Sequence, residues 1–119
     1  MESEFYLEVI TPERKFFEGN VEMVIIQSVD GQVGIMKGHI PMVTSVSIGI
    51  LRIKQSGKWR EAAINEGFME VKSDETIILS HSVEWPEEID ANRAKAAMER
   101  AKERLRQHRS MTEYTQSKA

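Results

Sequence analysis

Alternating apolar and polar positions dominate the first 85 residues and predict a series of short β-strands. In the first run, Phe5–Ile10, every second side chain is apolar and falls on one face, which is the period of a half-buried strand. Further runs follow at intervals of about 8–12 residues, separated by turn residues such as the Gly19-Asn20 pair. They cover Lys15–Glu18, Val21–Ser28, Met42–Val46, Ile48–Gln55, Lys58–Asn65, Phe68–Lys72 and Thr76–Ser82. The pattern is typical of a β-sandwich or a barrel, and we favour the sandwich.

The pattern changes to helical at Trp85-Pro86. Pro86 suits the first turn of a helix, acidic residues follow it at the positive end of the dipole, and basic residues dominate the last turns. An apolar stripe at helical spacing comprises Ile89, Ala94, Ala97, Met98, Ala101 and Leu105. Because a stripe so rich in alanine buries little area, it implies a second helix. We expect an exit loop at residues 107–110 and the start of the second helix at 111–119.

The sequence therefore predicts an α+β chain of two domains, a β-sandwich over residues 1–85 and a helical domain over 86–119. Between two strand-like runs lies the segment Asp30–Val43, which holds three of the seven glycines and one of the three prolines. Glycine permits positive φ, and Pro41 restricts Ile40 to an extended conformation. We expect a rigid, irregular loop whose apolar side chains lack cover and dock onto a partner.

Composition narrows the class of protein. The chain of 119 residues has no cysteine, so disulfides, thiolate metal sites and thiol catalysis are excluded. No run is as apolar and long as a membrane span, and the acidic N-terminus is unlike a signal peptide. Residues 1–85 hold 8 Lys and Arg against 13 Asp and Glu, whereas residues 86–119 hold 8 against 6. An acidic body with a basic tail argues against nucleic-acid binding by the body.

Candidate chemistry is sparse. No nucleophile–base arrangement, carboxylate pair or metal-ligand spacing can be identified, and the three histidines are far apart in the sequence. We expect His39 to orient its loop through a hydrogen bond, and Trp59, Phe68 and Trp85 to pack in the core or at the domain junction. The alternative function is a small β-barrel domain that binds nucleic acid through its basic helix. The acidic body and the lack of aromatic residues interleaved with basic ones on the strands oppose it.

Several motifs carry a resemblance to a known family. They are Leu7-Glu8-Val9-Ile10-Thr11-Pro12, Gly34-Ile35-Met36-Lys37-Gly38-His39-Ile40-Pro41, Glu66-Gly67-Phe68-Met69-Glu70-Val71 and Glu88-Ile89-Asp90-Ala91-Asn92-Arg93-Ala94. Together they resemble the epsilon subunit of the bacterial F-type ATP synthase, which is called delta in mitochondria. The match covers nearly the whole chain. Departures are Lys37, where proline is frequent, the pair Glu66-Gly67, and an end of the chain before the second helix is complete.

This resemblance implies a ten-stranded β-sandwich followed by a hairpin of two helices, here incomplete. It implies a non-catalytic subunit of the central rotor stalk of a proton-translocating enzyme, peripheral to the cytoplasmic face of the bacterial plasma membrane. The implied partners are the gamma subunit, the polar loops of the c-ring and, through the helices, the alpha/beta catalytic head. The helical part would regulate ATP hydrolysis. The residues we assign to the gamma and c-ring interface are Asp30, Gly31, Gln32, Ile35, Met36, His39, Ile40, Pro41 and Met42.

In some bacterial members the motif around Ile89 and Asp90 marks a regulatory ATP site, and no other cofactor is implied. The positions that match it are Glu84, Ile89, Asp90, Arg93, Ala94 and Arg100. Arg93 and Arg100 are seven residues apart, so both guanidinium groups lie on one helix face and suit phosphate oxygens. From spacing alone, an ordinary surface pair is the favoured interpretation of Asp90 and Arg93, and only the family motif gives the nucleotide site comparable weight.

Overall fold

The computed structural model describes residues 3–118, with side chains described for residues 3–109. This part of the chain forms ten strands and one helix. Their bounds are β1 (Phe5–Ile10), β2 (Lys15–Val21), β3 (Met23–Ser28), β4 (Gly31–Met36), β5 (Met42–Val46), β6 (Gly49–Gln55), β7 (Lys58–Ile64), β8 (Gly67–Val71), β9 (Glu75–Ser80), β10 (Val83–Glu84) and α1 (Pro86–Lys118). The chain divides into two compact units, residues 1–86 and 87–119.

The strands form a sandwich of two five-stranded sheets. The first sheet has the order β2-β1-β9-β8-β5 and the second has the order β10-β7-β6-β3-β4. The pairs within each sheet are antiparallel except for β1 and β9, which run parallel with Leu7 opposite Thr76. The α+β class and the ten-stranded sandwich predicted above are therefore confirmed.

The inward positions of both sheets form one core. The alternation is clear in β1, where Phe5, Leu7 and Val9 are buried and their neighbours are half-buried. The opposite sheet contributes Val24, Ile26, Ile35, Leu51 and Ile53. Because side chains alternate between the faces of a strand, this apolar period of two fixes which residues point out of the sandwich.

The predicted loop does not extend over all of Asp30–Val43. Its first half is the edge strand β4, and its last two residues begin β5. Six residues pair with β3, from Gly31 opposite Ser28 to Met36 opposite Met23. Gly34 lies inside this strand, where the Met23 methyl group occupies the space that a Cβ would need. Only the segment from Lys37 to Pro41 is an irregular connection, and it passes from the edge of the second sheet to β5 at the edge of the first.

Two further boundaries differ from expectation. The predicted turn at Gly19-Asn20 lies inside β2, and the chain turns at Glu22 instead, whose backbone N–H donates to the carbonyl of Lys54. The predicted exit loop at residues 107–110 is wrong, because α1 continues to Lys118. The helix contains neither glycine nor proline after Pro86, so no residue of that segment interrupts its hydrogen bonds. Residues 3–118 consequently contain one C-terminal helix and no helical hairpin.

At Gly67, β8 and its neighbour β9 leave no room for a side chain. A methyl group on its Cα would overlap the carbonyl oxygen of Leu79 in β9. Because backbone atoms on both sides of this contact are fixed by the ladder, we expect Gly67→Ala to lower the free energy of unfolding by at least about 2 kcal/mol.

Gly49→Ala is the matched control, since its Cβ would meet the Gln27 side chain at 3.4 Å and the Ser47 carbonyl oxygen at 4.0 Å, without overlap. We expect that change to stay within about 1 kcal/mol of the parent protein. Urea unfolding followed by circular dichroism measures both. Equal stability of the two variants would contradict the steric account.

Candidate functional site

The most prominent surface feature is a row of apolar side chains on the outer face of the first sheet. Ile10, Leu79 and Phe68 lie opposite one another in the registers of β1 with β9 and of β9 with β8. Phe68 is 63% exposed and Leu79 is 50% exposed, while Ile10 is half-buried. We call these three residues the apolar row. Large apolar side chains that are adjacent and exposed are typical of a protein–protein contact surface.

The apolar row borders a shallow groove of about 400 Å³. Its remaining lining residues are Thr11, Pro12, Glu66, Gly67, Ser80 and His81. The groove lies where β1 and β9 end and β8 begins, and the tight β8–β9 pairing at Gly67 sets the position of Phe68 beside Leu79. Beyond β8, Ser45 continues the row on β5, and Val43 is exposed on the same strand face. The groove therefore offers a mainly apolar recess for a side chain of another protein.

The opposite end of the same face is polar, and its charges are compensated within the chain. The Tyr6 hydroxyl oxygen lies 3.0 Å from both Glu8 Oε1 and Glu18 Oε2, and its single hydrogen can be donated to either carboxylate. Lys15 Nζ lies 3.1 Å from the same two carboxylate oxygens. On β8 and just beyond it, Glu70 pairs with Lys72 at 3.5 Å. These groups satisfy one another and need no partner, in contrast to the apolar row.

This network shifts the ionisation of its members. Desolvation, together with hydrogen bonds to Glu8 and Glu18, raises the pKa of Tyr6 from 10.0 to about 12. Hydrogen bonds to Glu18 and Glu8 raise the pKa of Lys15. The hydrogen bond from Lys15, followed by that from Tyr6, lowers the pKa of Glu18. All three shifts favour the same state near neutral pH, with Tyr6 neutral, Lys15 cationic and Glu18 anionic.

The residues that the sequence assigned to the partner interface lie at both ends of the sandwich. Asp30 lies in the turn before β4 and Gly31 begins the strand, while Met36 ends it and the Lys37–Pro41 connection follows. A strand of six residues separates the two groups by about 17 Å. Gln32 lies between them as an exposed β4 residue. The nine residues therefore do not form one docking loop.

Burial separates these residues further. Ile35 is only 1% exposed and belongs to the core, so its assignment to a docking surface is wrong. Met42 is half-buried and packs against the core. Ile40 is 78% exposed, and its loop is held locally, because the His39 N–H donates to the Met36 carbonyl and His39 Nδ1 lies 2.8 Å from the Ile40 carbonyl. Pro41 is also exposed.

Sequence reasoning missed the apolar row. It assigned Phe68 to core or junction packing. In β8, however, Met69 and Val71 are buried, whereas Phe68 points to the opposite, exposed face. The alternation in β8 contained the signal, because Phe68 shares a face with Glu70. Trp59 is likewise largely exposed, and Trp85 is half-buried against the core.

The residues that match the nucleotide motif are divided between the two units. Glu84 is in β10, and the other five are on α1. At about 100° per residue, Ile89, Arg100, Arg93, Asp90 and Ala94 fall within a sector of about 140° on the helix. Ile89 is half-buried, and the side chains of the other four are exposed.

The described residues contain neither a group of metal ligands nor a membrane-spanning helix. Within them, no three His, Cys, Asp or Glu side chains are grouped so as to hold a metal ion. Over the same part of the chain, no helix has the length and hydropathy needed to cross a membrane.

Comparison with known sequences defines the class of protein. Residues 4–86 match the family described as ATP synthase, Delta/Epsilon chain, beta-sandwich domain, and residues 87–119 match the long alpha-helix domain of the same chain. The class of protein is thus a subunit that combines a β-sandwich domain with a long α-helix domain. The chain belongs to the ATP synthase delta/epsilon family.

Individual relatives agree with this membership. The chain is 53% identical to the ATP synthase epsilon chain of Caldanaerobacter subterraneus subsp. tengcongensis, over 100% of this chain and 87% of the relative. It is 57% identical to that of Caldicellulosiruptor saccharolyticus, over 88% of this chain and 77% of the relative.

Among solved structures, a chain in the Euglena gracilis mitochondrial ATP synthase matches with a TM-score of 0.69 and 24% identity. The match covers 83% of this chain and 64% of the Euglena chain, so this chain spans less than two thirds of that structure's length. A chain of the Tetrahymena thermophila mitochondrial ATP synthase matches with a TM-score of 0.56 and 13% identity. Both matches show that the fold is shared.

The sandwich also removes the structural basis of the barrel alternative, because the described strands form two separate sheets.

The polar network yields a prediction about pH. Because the folded-state pKa of Glu18 is lowered, its stabilising contribution is present above the unfolded pKa and is lost as the pH falls through the folded value. We expect Glu18→Gln to be less stable than the parent near neutral pH, and the difference to shrink as the pH falls below the ordinary range of a carboxyl group. Urea midpoints measured across this range test the prediction. A difference that is unchanged at the acid end would contradict it.

Proposed function

We propose that this chain is the epsilon-type subunit of a proton-translocating F-type ATP synthase. In this role it is a non-catalytic part of the central rotor stalk, and it couples rotation of the c-ring to the catalytic head through gamma. Family membership and the sandwich-plus-helix architecture support the proposal. The structures that share the fold come from assemblies described as OSCP/F1/c-ring and central stalk/c-ring. The subunit would lie at the cytoplasmic face of the bacterial plasma membrane, held there by the complex.

The observation that carries the proposal is the apolar row. Phe68 and Leu79 contribute exposed area that the sandwich does not use for its own core, and such a surface gains stability when a partner covers it. We assign gamma to this face. The turn at Val29-Asp30, which leads into Gly31, carries an acidic side chain and backbone polar groups, which suit the polar loops of the c-ring. Ile40, at the opposite end, adds a second apolar contact to the same assembly.

The helix would carry the regulatory part of the function. From Ala91 to Arg109 every described side chain of α1 is exposed, and basic residues are frequent towards its end. Such a surface suits acidic groups of the alpha/beta catalytic head. A regulatory nucleotide would be held by Arg93 and Arg100 through its phosphates and by Asp90 through a hydroxyl or amine donor. Glu84, Ile89 and Ala94 complete the proposed ATP site, and no resident cofactor is required.

The docking surface can be tested with purified gamma subunit of the same enzyme. We expect Phe68→Asp and Leu79→Asp each to weaken association by at least about tenfold, because a carboxylate would be desolvated in an apolar contact. Ile50→Asp is the matched control, since Ile50 is 51% exposed on the outer face of the second sheet and should leave binding unchanged.

Ile40→Asp measures the contribution of the β4–β5 connection separately. Met42 is unsuitable for that purpose, because its partial burial would confuse lost binding with lost stability. If Ile50→Asp weakens binding as much as Phe68→Asp does, or if neither has an effect, the assignment of gamma to this face is wrong.

Nucleotide binding can be tested by titration calorimetry. We expect heat of ATP binding at millimolar nucleotide or below, and about tenfold weaker binding by Arg93→Ala, because one charge-assisted hydrogen bond is lost. Arg109→Ala is the control, since Arg109 lies about 160° around the helix from Arg93. Absence of heat at millimolar ATP would contradict nucleotide sensing by this chain while leaving the stalk assignment intact.

A further inference from the structure

Four side chains form a continuous stack at one edge of the sandwich. The guanidinium Cζ of Arg60 lies 3.7 Å from the ring centroid of Trp85. The ring of Trp85 lies 4.4 Å from that of Phe16, tilted by 30°. Arg14 Cζ then lies 5.2 Å from the centroid of Phe16. We call this arrangement the edge stack. It joins β7 of the second sheet to β2 of the first through the residue that precedes α1.

The edge stack holds a very short strand. β10 consists of Val83 and Glu84 alone, and it pairs with Ile64 and Ala63 of β7. A two-residue edge strand has too few ladder bonds to remain docked through backbone pairing alone. Val83 is buried, and Arg14 Nη2 donates to its carbonyl at 3.4 Å. Side-chain contacts therefore hold β10 from the side that faces away from β7.

Arg60 is exposed near the start of β7, although its strand parity is that of core residues. It has the same strand parity as Ala62 and Ile64, whose side chains are in the core. Its backbone partner in β6 is the buried Ile53. Arg60 thus lies beyond the end of the core, exposed to solvent, and places its planar cation over Trp85, an arrangement in which arginine stacks favourably on indole.

We propose that the edge stack is a latch, meaning a reversible set of contacts that determines which residue before α1 is the last one fixed to the sandwich. With the latch closed, the sandwich fixes the chain through Trp85. When the latch opens, β10 separates from β7, and the last fixed point becomes Ser82, whose carbonyl accepts from the Asn65 N–H. The segment Val83–Trp85 then adds three residues, about 10 Å when extended, to the reach of α1. The rest of the sandwich stays folded during this opening, and the inference does not depend on the proposed function.

Native-state hydrogen exchange, read residue by residue by NMR on the full chain, tests the latch. The chain has two tryptophans. The other one, Trp59, forms a cation–aromatic contact with Lys54 in the same sheet, at 5.9 Å, and this contact supplies a control. We expect Arg60→Ala to accelerate exchange at the protected amides of the β10–β7 pairing by about tenfold. Exchange at Leu7 and Ile78, at the centre of the core, should stay within twofold of the parent.

Lys54→Ala is the matched control and should leave exchange at β10 unchanged. Trp85→Phe retains a ring and should accelerate exchange less than Trp85→Leu does. Two results would overturn the proposal. In one, Arg60→Ala accelerates exchange equally at β10 and at Ile78, which would make the stack an ordinary part of the global core. In the other, β10 exchanges as slowly in Arg60→Ala as in the parent.

Discussion

The structure depends on the period-two alternation that fills the space between two sheets. Leu7, Val24, Leu51 and Ile78 come from four different strands and are fully buried in one core. A slip of one residue in any of these strands would move its apolar set to the solvent face, so each register is strongly specified. The same constraint determines which residues form the outer surface, because every second residue of a strand must point away from the core. Apolar residues on outward positions are therefore not required by the core.

That distinction separates two ends of one sheet face. Around Tyr6, charged and polar groups are paired with one another across β1 and β2. Around Phe68 and Leu79, apolar area is left exposed although polar residues would have served the fold equally well. The polar end is complete within the chain, and the apolar end gains from association with a partner. A docking function follows from this contrast more directly than from the glycine content of the Asp30–Val43 segment.

Much of the fold could be predicted from the sequence because it rests on local periodicity. The strand runs, the sandwich and the start of the helix near Pro86 all follow from apolar spacing and turn residues. The strand β4 was missed because glycines at three positions suggested a loop, whereas Gly34 pairs with Ile25 in the ladder beside the Met23 side chain. The apolar row was missed because it depends on which strands are neighbours. Ile10, Phe68 and Leu79 are far apart in the sequence, and only the parallel β1–β9 pairing places the first beside the last.

The helix obeys a different constraint from the sandwich. It contains strong helix formers, no interrupting residue and two acidic side chains in its first turn, so local preference supports it along its length. The exposure of Met98 and Leu105, however, shows that its few large apolar residues are not used in packing over the described side chains. A helix that is stabilised locally keeps its form whether or not another surface covers it. Such an element can therefore change its contacts without unfolding, and the position of its anchoring residue, Trp85, decides how far it reaches.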